Sequence, residues 1–394
     1  MVGRTSREAC ANIEILAAIA GFCAVPLSIA VSETFLVIAL VARVVAIFRG
    51  AKISLPGVCW WWLGWAALEV VSWLRSPRPR AGLGEMRHLL LIAAVFLIVP
   101  CLDRPAYKMM VWRGLFVTST VGAGALLINT IMRAVTYGGA IAAGGDAEFY
   151  LRNGGFLHHW MIYATVEALI FGGLLEFRFR FPDERPWATA ALGFHCLAIL
   201  FSFTRTLWIA AFLLAAIHLI WRRSRWIFAL PAVVLVAFFV APEAVRARIA
   251  DSSHLDYYSN SERIQMWRVG YNMIREHPIF GVGPGLVEAE YANYLPKGET
   301  LPAYHGHLHN NGLQLAAEFG LPVLCAAAAW LVFLLLELRR ARPTTVQEEF
   351  MRKSAFLGII GFLITGMTDY TYGHALGLIL FIFVALCPLL DPAE

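Results

Sequence analysis

SFTRTLWIAAFLLAAIHLIWRRSRWIFALPAVVLVAFFVAP, residues 202–242, decides the fold. It holds two apolar runs, 206–221 and 226–242, parted by a short basic link with Arg222, Arg223 and Arg225. Each run is close to the ~20 residues an α-helix needs to cross the bilayer hydrocarbon. Neither shows the strict alternation of a barrel strand. In lipid, only helices and closed barrels satisfy their own backbone hydrogen bonds, so this stretch describes two membrane-spanning helices.

The rest of the chain repeats the pattern. Of 394 residues, 59% are hydrophobic and 15% are charged, and mean hydropathy is +0.65. Soluble domains are nearer about a quarter charged, so a soluble protein this apolar would have too little polar surface to cover itself. Apolar runs lie near 12–31, 33–48, 57–74, 88–102, 109–132, 160–177, 187–204, 206–221, 226–242, 310–337, 355–368 and 373–390. The expectation is an all-α integral membrane protein with about twelve transmembrane helices, residues 1–394 forming a single polytopic domain. The first run has no clear small-residue cleavage site and precedes many more, so it is expected to span rather than to be removed. Seven cysteines stand singly with no CxxC, which predicts neither a disulfide framework nor a zinc knuckle.

The net charge of +5 is explained by topology, not by nucleic acid. With the N-terminus inside, alternate links carry Arg49 and Lys52; Arg104 and Lys108; Arg178, Arg180 and Arg185; Arg222, Arg223 and Arg225; and Arg339, Arg340, Arg342, Arg352 and Lys353. That follows the positive-inside rule and puts both termini in the cytoplasm. One outward loop breaks it. SWLRSPRPRAGLGEMRH (72–88) carries Arg75, Arg78, Arg80 and Arg87. It is either an ordinary headgroup contact or a basic patch for an anionic lipid or pyrophosphate.

The same topology places residues 243–308 outside, as a polar insert between the ninth and tenth spans. Ser259 to Glu262 reads as a capping box with Ser259 as N-cap. The helix after it brings Ile264, Trp267, Tyr271 and Ile274 to one face, and His277-Pro278 ends it. GVGPG (281–285) reads as a turn. No strand precedes it, which argues against a nucleotide loop. The 137–155 stretch, with its paired glycines, reads as a flexible outward loop.

Four polar positions carry candidate chemistry. HGHLH (305–309) alternates histidines, which in an extended segment can hold zinc, although no carboxylate or cysteine is close in sequence. His309 sits where an apolar helix begins; there the helix dipole favours a neutral imidazole, the form a general base needs. A plain interfacial histidine is the other reading. Asn310 can cap the helix or orient the ring. Arg205 falls in a tight link between two spans, where a guanidinium either snorkels to headgroups or clamps a phosphate bidentately. Arg263 opens the insert's helix one turn before Trp267; it can pair with Glu262 or Asp256, or point into a site. Asp369 and His374 stand in the last outer loop.

Together these motifs resemble the O-antigen ligase family, which includes O-antigen polymerases and protein O-oligosaccharyltransferases. HNNGLQLAAEFGLPV (309–323) is similar to the family's His-Asn-x9-Gly pattern through His309, Asn310 and Gly320, departing at Val323. SERIQMWRVGYNMIREHPIFGVGPG (261–285) and SFTRTLW resemble its other two motifs, and the likeness covers roughly residues 190–380. The resemblance implies a GT-C-like glycosyltransferase in a Gram-negative inner membrane, with its active site periplasmic. It implies a glycan donor on undecaprenyl pyrophosphate and a lipid A–core acceptor. It also implies no cofactor and no metal, with inversion at the anomeric carbon. The roles carry over as His309 for the base and Arg205 and Arg263 for the pyrophosphate. Asn310, Trp267, Arg75, Arg78 and Arg80 are expected to help bind substrate.

Two other functions compete. One is a polymerase or protein-glycosylating enzyme of the same family. The other is a transporter or flippase, expected to carry charge in mid-span or paired broken helices. In the sequence the charge gathers at one face.

Overall fold

The computed structural model describes residues 2–53, 55–250 and 257–390; Asp256 lies outside them. Every described element is helical: α1 (Val2–Ala24), α2 (Ile29–Phe48), α3 (Gly57–Arg75), α4 (Arg87–Ile98), α5 (Pro105–Ala142), α6 (Ala147–Leu151), α7 (Trp160–Arg180), α8 (Arg185–Phe201) and α9 (Arg205–Trp221), then α10 (Leu230–Val240), α11 (Glu243–Ala250), α12 (Tyr258–Glu276), α13 (Val287–Glu290), α14 (Asn311–Phe319), α15 (Leu321–Arg340), α16 (Val346–Thr365) and α17 (Ala375–Leu386). All twelve apolar runs are helical. Five helical segments are each long and apolar enough to cross a membrane, namely α2, 81–101, α5, α7 and α15; the pair 225–240 and α11, bent by 119°, is either a broken sixth span or a re-entrant loop. Apolar α1, α9 and α17 are shorter. Large apolar side chains stay exposed along the bundle, among them Val41, Trp60, Trp61, Val236 and Phe239. In water such a surface would be a liability; against lipid it is the expected face. The protein is a multi-pass helical membrane protein.

At the centre stands α7, with 78% of its apolar window buried against 22% for α2. Phe177 of this helix packs on Phe116, Trp187 and Phe350 at centroid distances of 5.1, 5.4 and 5.7 Å. The links fall alternately at the two ends of the bundle. At one end the basic links meet: Arg113 pairs with Glu184, Lys108 bonds the Leu390 carbonyl, and Arg222 stacks on Phe179 at 3.0 Å. At the other end the polar insert meets the remaining links. Ser72 Oγ donates to the Phe280 carbonyl at 2.8 Å, Arg78 pairs with Glu290, and Tyr257 Oη donates to Glu148 at 3.1 Å. The arginine-bearing 76–86 link therefore lies at the same end as the insert.

Several sequence expectations change. The 137–155 stretch is mostly ordered helix, because α5 runs on to Ala142 and Asp146 caps α6 by accepting from the Glu148 amide. Helix α12 starts two residues earlier than expected, with Tyr257 as N-cap, and Ser259 accepts from Arg205 instead of capping. Charge is not confined to one face either. Glu69 pairs with His88 at 2.6 Å, Glu167 with His195 at 2.6 Å and Glu176 with His218 at 2.8 Å, all three acids buried. Each acid has a partner on another helix, the arrangement that makes a polar group tolerable at membrane depth and pins helices together.

The largest change is in the tenth run, 310–337, which breaks into α14 and α15 at Gly320. Gly320 has φ +91°, and a Cβ there would meet the Ile279 carbonyl oxygen at 2.1 Å. The GVGPG turn docks on this break: Val282 N–H donates to the Ala317 carbonyl at 2.8 Å, and Gly283 N–H to that of Glu318 at 3.0 Å. Gly281, at φ +65°, is pressed on Glu318 just as closely. Only glycine fits both the conformation and the approach. Gly320→Ala is expected to destabilise the protein by about 2 kcal/mol or more. A lower unfolding temperature of the detergent-purified protein would register it, and an unchanged transition would contradict the packing argument.

Candidate active site

Arg205 is the first residue of α9, so its guanidinium and the helix N-terminus place positive potential at one spot, which suits an anion. Phe203, two residues earlier, has φ +54° and is buried, which fixes the tight turn. The Arg205 Nη2 donates to Ser259 Oγ at 3.1 Å and Asn260 Oδ1 at 2.6 Å on α12. From the same helix Arg263 donates to the Thr368 carbonyl at 3.3 Å and the Ser259 carbonyl at 3.1 Å. Burial pushes its pKa down, against the pull of Asp369. One turn on, Trp267 turns to the same side, and its Nε1 is buried without a hydrogen-bond partner.

Arg205, Arg263 and Trp267 line one cavity of ≈ 510 Å³, together with Arg152, Arg248 and Trp160. Four guanidiniums and two indole rings on its wall are chemistry that suits an anion carrying an apolar part. Arg152 and Arg248 were not singled out from sequence; their motifs are undistinguished, and only folding brings them to the wall.

His309 stands beside this cavity, across Thr368 and Asp369. Its φ of +47° is uncommon for any residue but glycine. The ring Nδ1 lies 3.2 Å from Asp369 Oδ1. Asp369 also lies 3.5 Å from His374 Nε2. Burial alone would raise the Asp369 pKa; hydrogen bonds with His309 and His374 outweigh it and hold the carboxyl below the usual carboxylate range. The acid therefore stays ionised at neutral pH. An ionised acid on Nδ1 selects the tautomer with the proton there and leaves Nε2 with its lone pair.

The segment after His309 is a polar clasp. Asn310 caps α14 by accepting from the Leu313 amide at 2.9 Å, and donates to the Met367 carbonyl at 2.9 Å. Asn311 donates to Thr371 Oγ1 at 2.7 Å and accepts from the Tyr372 amide at 3.0 Å. Asn310 thus caps the helix; it does not orient the ring. The same 366–372 loop touches two of the three expected residues and the neighbour of the third: Arg263 meets the Thr368 carbonyl, His309 meets Asp369, and Thr206, next to Arg205, meets Thr368 Oγ1. His374 also lines a second cavity, ≈ 760 Å³, with Arg87, His88, His158 and apolar residues of α2, α4 and α17.

Arg75, Arg78 and Arg80 are exposed and are not in the lining of the arginine cavity. Arg75 stacks on Phe280 at 5.3 Å and Arg78 pairs with Glu290, so both brace the GVGPG region. Among the described residues, His307, His309 and Asp369 form a group able to hold a metal, with one ligand atom from each within 4.8 Å of the others. Burial, then the neighbouring His309, pushes the His307 pKa down to about 3, so this ring is neutral.

No curated protein matches the chain. Residues 188–328 match the family model described as O-Antigen ligase, a stretch that includes Arg205, Arg263, His309 and Gly320.

Proposed function

We propose that the protein is an O-antigen ligase: it moves a glycan from undecaprenyl pyrophosphate to a sugar hydroxyl of lipid A–core, at the periplasmic face of a bacterial inner membrane. The observation that carries this is the guanidinium cavity lying against a His309–Asp369 pair on one loop. The acceptor hydroxyl gives its proton to His309 Nε2 and its oxygen attacks the anomeric carbon. The bond from that carbon to the diphosphate oxygen breaks, with inversion. The electron pair leaves on undecaprenyl diphosphate, where Arg205 and Arg263 take up the growing charge in a partly dry site. The charge relief comes from fixed guanidiniums, so the step needs no divalent ion. The two cavities flanking the Asp369 row suit two lipid-anchored substrates arriving from different sides.

The test is reconstitution with purified lipid-linked glycan and lipid A–core. A lipopolysaccharide ladder is expected. Lengthened lipid-linked glycan alone would replace the ligase with a polymerase. Turnover is expected to be unchanged by EDTA and lowered by added Zn²⁺, because zinc bound to His307, His309 and Asp369 would take the lone pair the base needs. A divalent-ion requirement after chelation would overturn the metal-free step.

A further inference from the structure

Away from the insert, where the basic links meet, another set of cations surrounds a cavity of ≈ 810 Å³. Lys108, Arg340, Arg342 and Arg352 line it, against two acids, Glu337 and Glu348. Lys108 stands in the first turn of α5 and is only 3% exposed. Its ammonium donates to the Leu390 carbonyl at 2.9 Å and has no acid partner among the described residues. An ammonium has three donors, so two are left for another group. A buried charge without a counter-charge is costly. Arg352 repeats the pattern on α16: its Nε is buried without a hydrogen-bond partner. The two acids are turned to backbone. Glu337 accepts from the Val58 amide at the start of α3 and attracts Arg340 at longer range. Glu348, one turn before Arg352, accepts from the Thr344 and Thr345 amides at 2.7 and 3.4 Å. Other acids at this end pair elsewhere: Glu349 with Arg180 and Lys353, Glu184 with Arg113, and Glu14 with Arg43. Half-buried Asp103 is outside the lining, and Asp391 and Glu394 lie outside the described residues.

The positive-inside rule accounts for cations at this end, but not for one buried in a cavity wall without an acid. We propose that this cavity is a phosphate site, and that it takes the headgroup of an anionic phospholipid. Phosphate oxygens accept from ammonium and guanidinium groups together, which supplies the charge that Lys108 lacks. The surroundings suit a lipid. Leu55, Met351 and Leu389 share the wall with the cations. Along α3 from Gly57, Trp60 and Trp61 are exposed, and Trp61 packs on Phe333 of α15 at 5.1 Å. An apolar track for acyl chains therefore leads away from the cavity between α3 and α15. Its indoles stand near the end of a span, where such rings anchor at the membrane interface. Basic pockets between spanning helices bind anionic headgroups by the same physics. The site is independent of the reaction at the other end of the bundle.

The experiment follows thermal unfolding of the full-length protein in a neutral detergent, titrated with phosphatidylglycerol, phosphatidylcholine or inorganic phosphate. Phosphatidylglycerol is expected to raise the unfolding temperature saturably, and phosphatidylcholine far less. Lys108→Met is expected to abolish the response. Arg352→Gln is expected to raise the midpoint of the phosphatidylglycerol titration about five-fold, the scale of one cation at a charged headgroup. The double variant Arg340→Gln, Arg352→Gln is expected to raise it roughly twenty-five-fold. Arg340 is exposed and Arg352 half-buried, so these variants decide the matter if Lys108→Met fails to fold. Equal stabilisation by the two lipids, or arginine-variant midpoints within about two-fold of wild type, overturns the proposal. Inorganic phosphate acting at the same concentration as phosphatidylglycerol would keep the phosphate site and make its ligand a free anion. Asp391→Asn is expected to leave the lipid-free unfolding temperature unchanged. A marked drop would make that carboxylate the occupant and overturn the proposal.

Discussion

His309→Ala is expected to lower the rate of glycan transfer by about 10²–10⁴-fold while leaving donor binding intact, the range in which a positioned base contributes. The argument rests on geometry. The ring is anchored through Nδ1 to Asp369 at 3.2 Å, and the acid is kept ionised by its two histidines. Arg205, Arg263 and Trp267 line the anion cavity; His309 is outside that lining. Removing the imidazole therefore removes the proton acceptor and leaves the guanidiniums in place. Asp369→Asn keeps the shape of the pair but lets the wrong tautomer form, so a smaller loss, roughly ten- to a hundred-fold, is expected. Single-turnover transfer and a separate donor-binding measurement distinguish the two effects. Turnover within two-fold of wild type in His309→Ala, by the usual scale of base catalysis, would remove the base from the mechanism.

Much of the fold was legible because lipid imposes one-dimensional rules. Run length and the alternation of basic links give helices and ends directly, and Arg222, Arg223 and Arg225 lie where those rules put them. The rules fail where tertiary contact overrides local pattern. Residues 310–337 read as one apolar run. The break at Gly320 exists because the 278–285 turn needs to approach that backbone, a demand from residues far along the chain. Glu69, Glu167 and Glu176 look like isolated acids in apolar runs until folding supplies His88, His195 and His218. The family likeness led to Arg205, Arg263 and His309, but Asp369 was only an available neighbour. Its burial between two imidazoles is a product of folding, which no spacing encodes. Arg75, Arg78 and Arg80 are the opposite case: the charge cluster is plain in the sequence, but its place outside the cavity lining, with Arg75 on Phe280 and Arg78 on Glu290, is not.

The arginines should be equally costly to lose, but in a different way. Arg263→Gln is expected to lower kcat/KM about 10²–10³-fold, since a fixed charge on the leaving oxygen acts most strongly in the transition state. Arg205→Lys tests geometry rather than charge. An ammonium keeps the charge but cannot form a planar two-point contact, so a clear loss is expected even though the charge is unchanged. Both residues converge on Ser259 of α12, Arg205 through its hydroxyl and Arg263 through its carbonyl, so the two guanidiniums are coupled through one residue. Their double variant is therefore expected to lose less than the sum of the single losses. Strict additivity would mean that the two arginines act on separate groups of the substrate. Full activity in Arg263→Gln would mean that the diphosphate leaves elsewhere, and the cavity would then need another ligand.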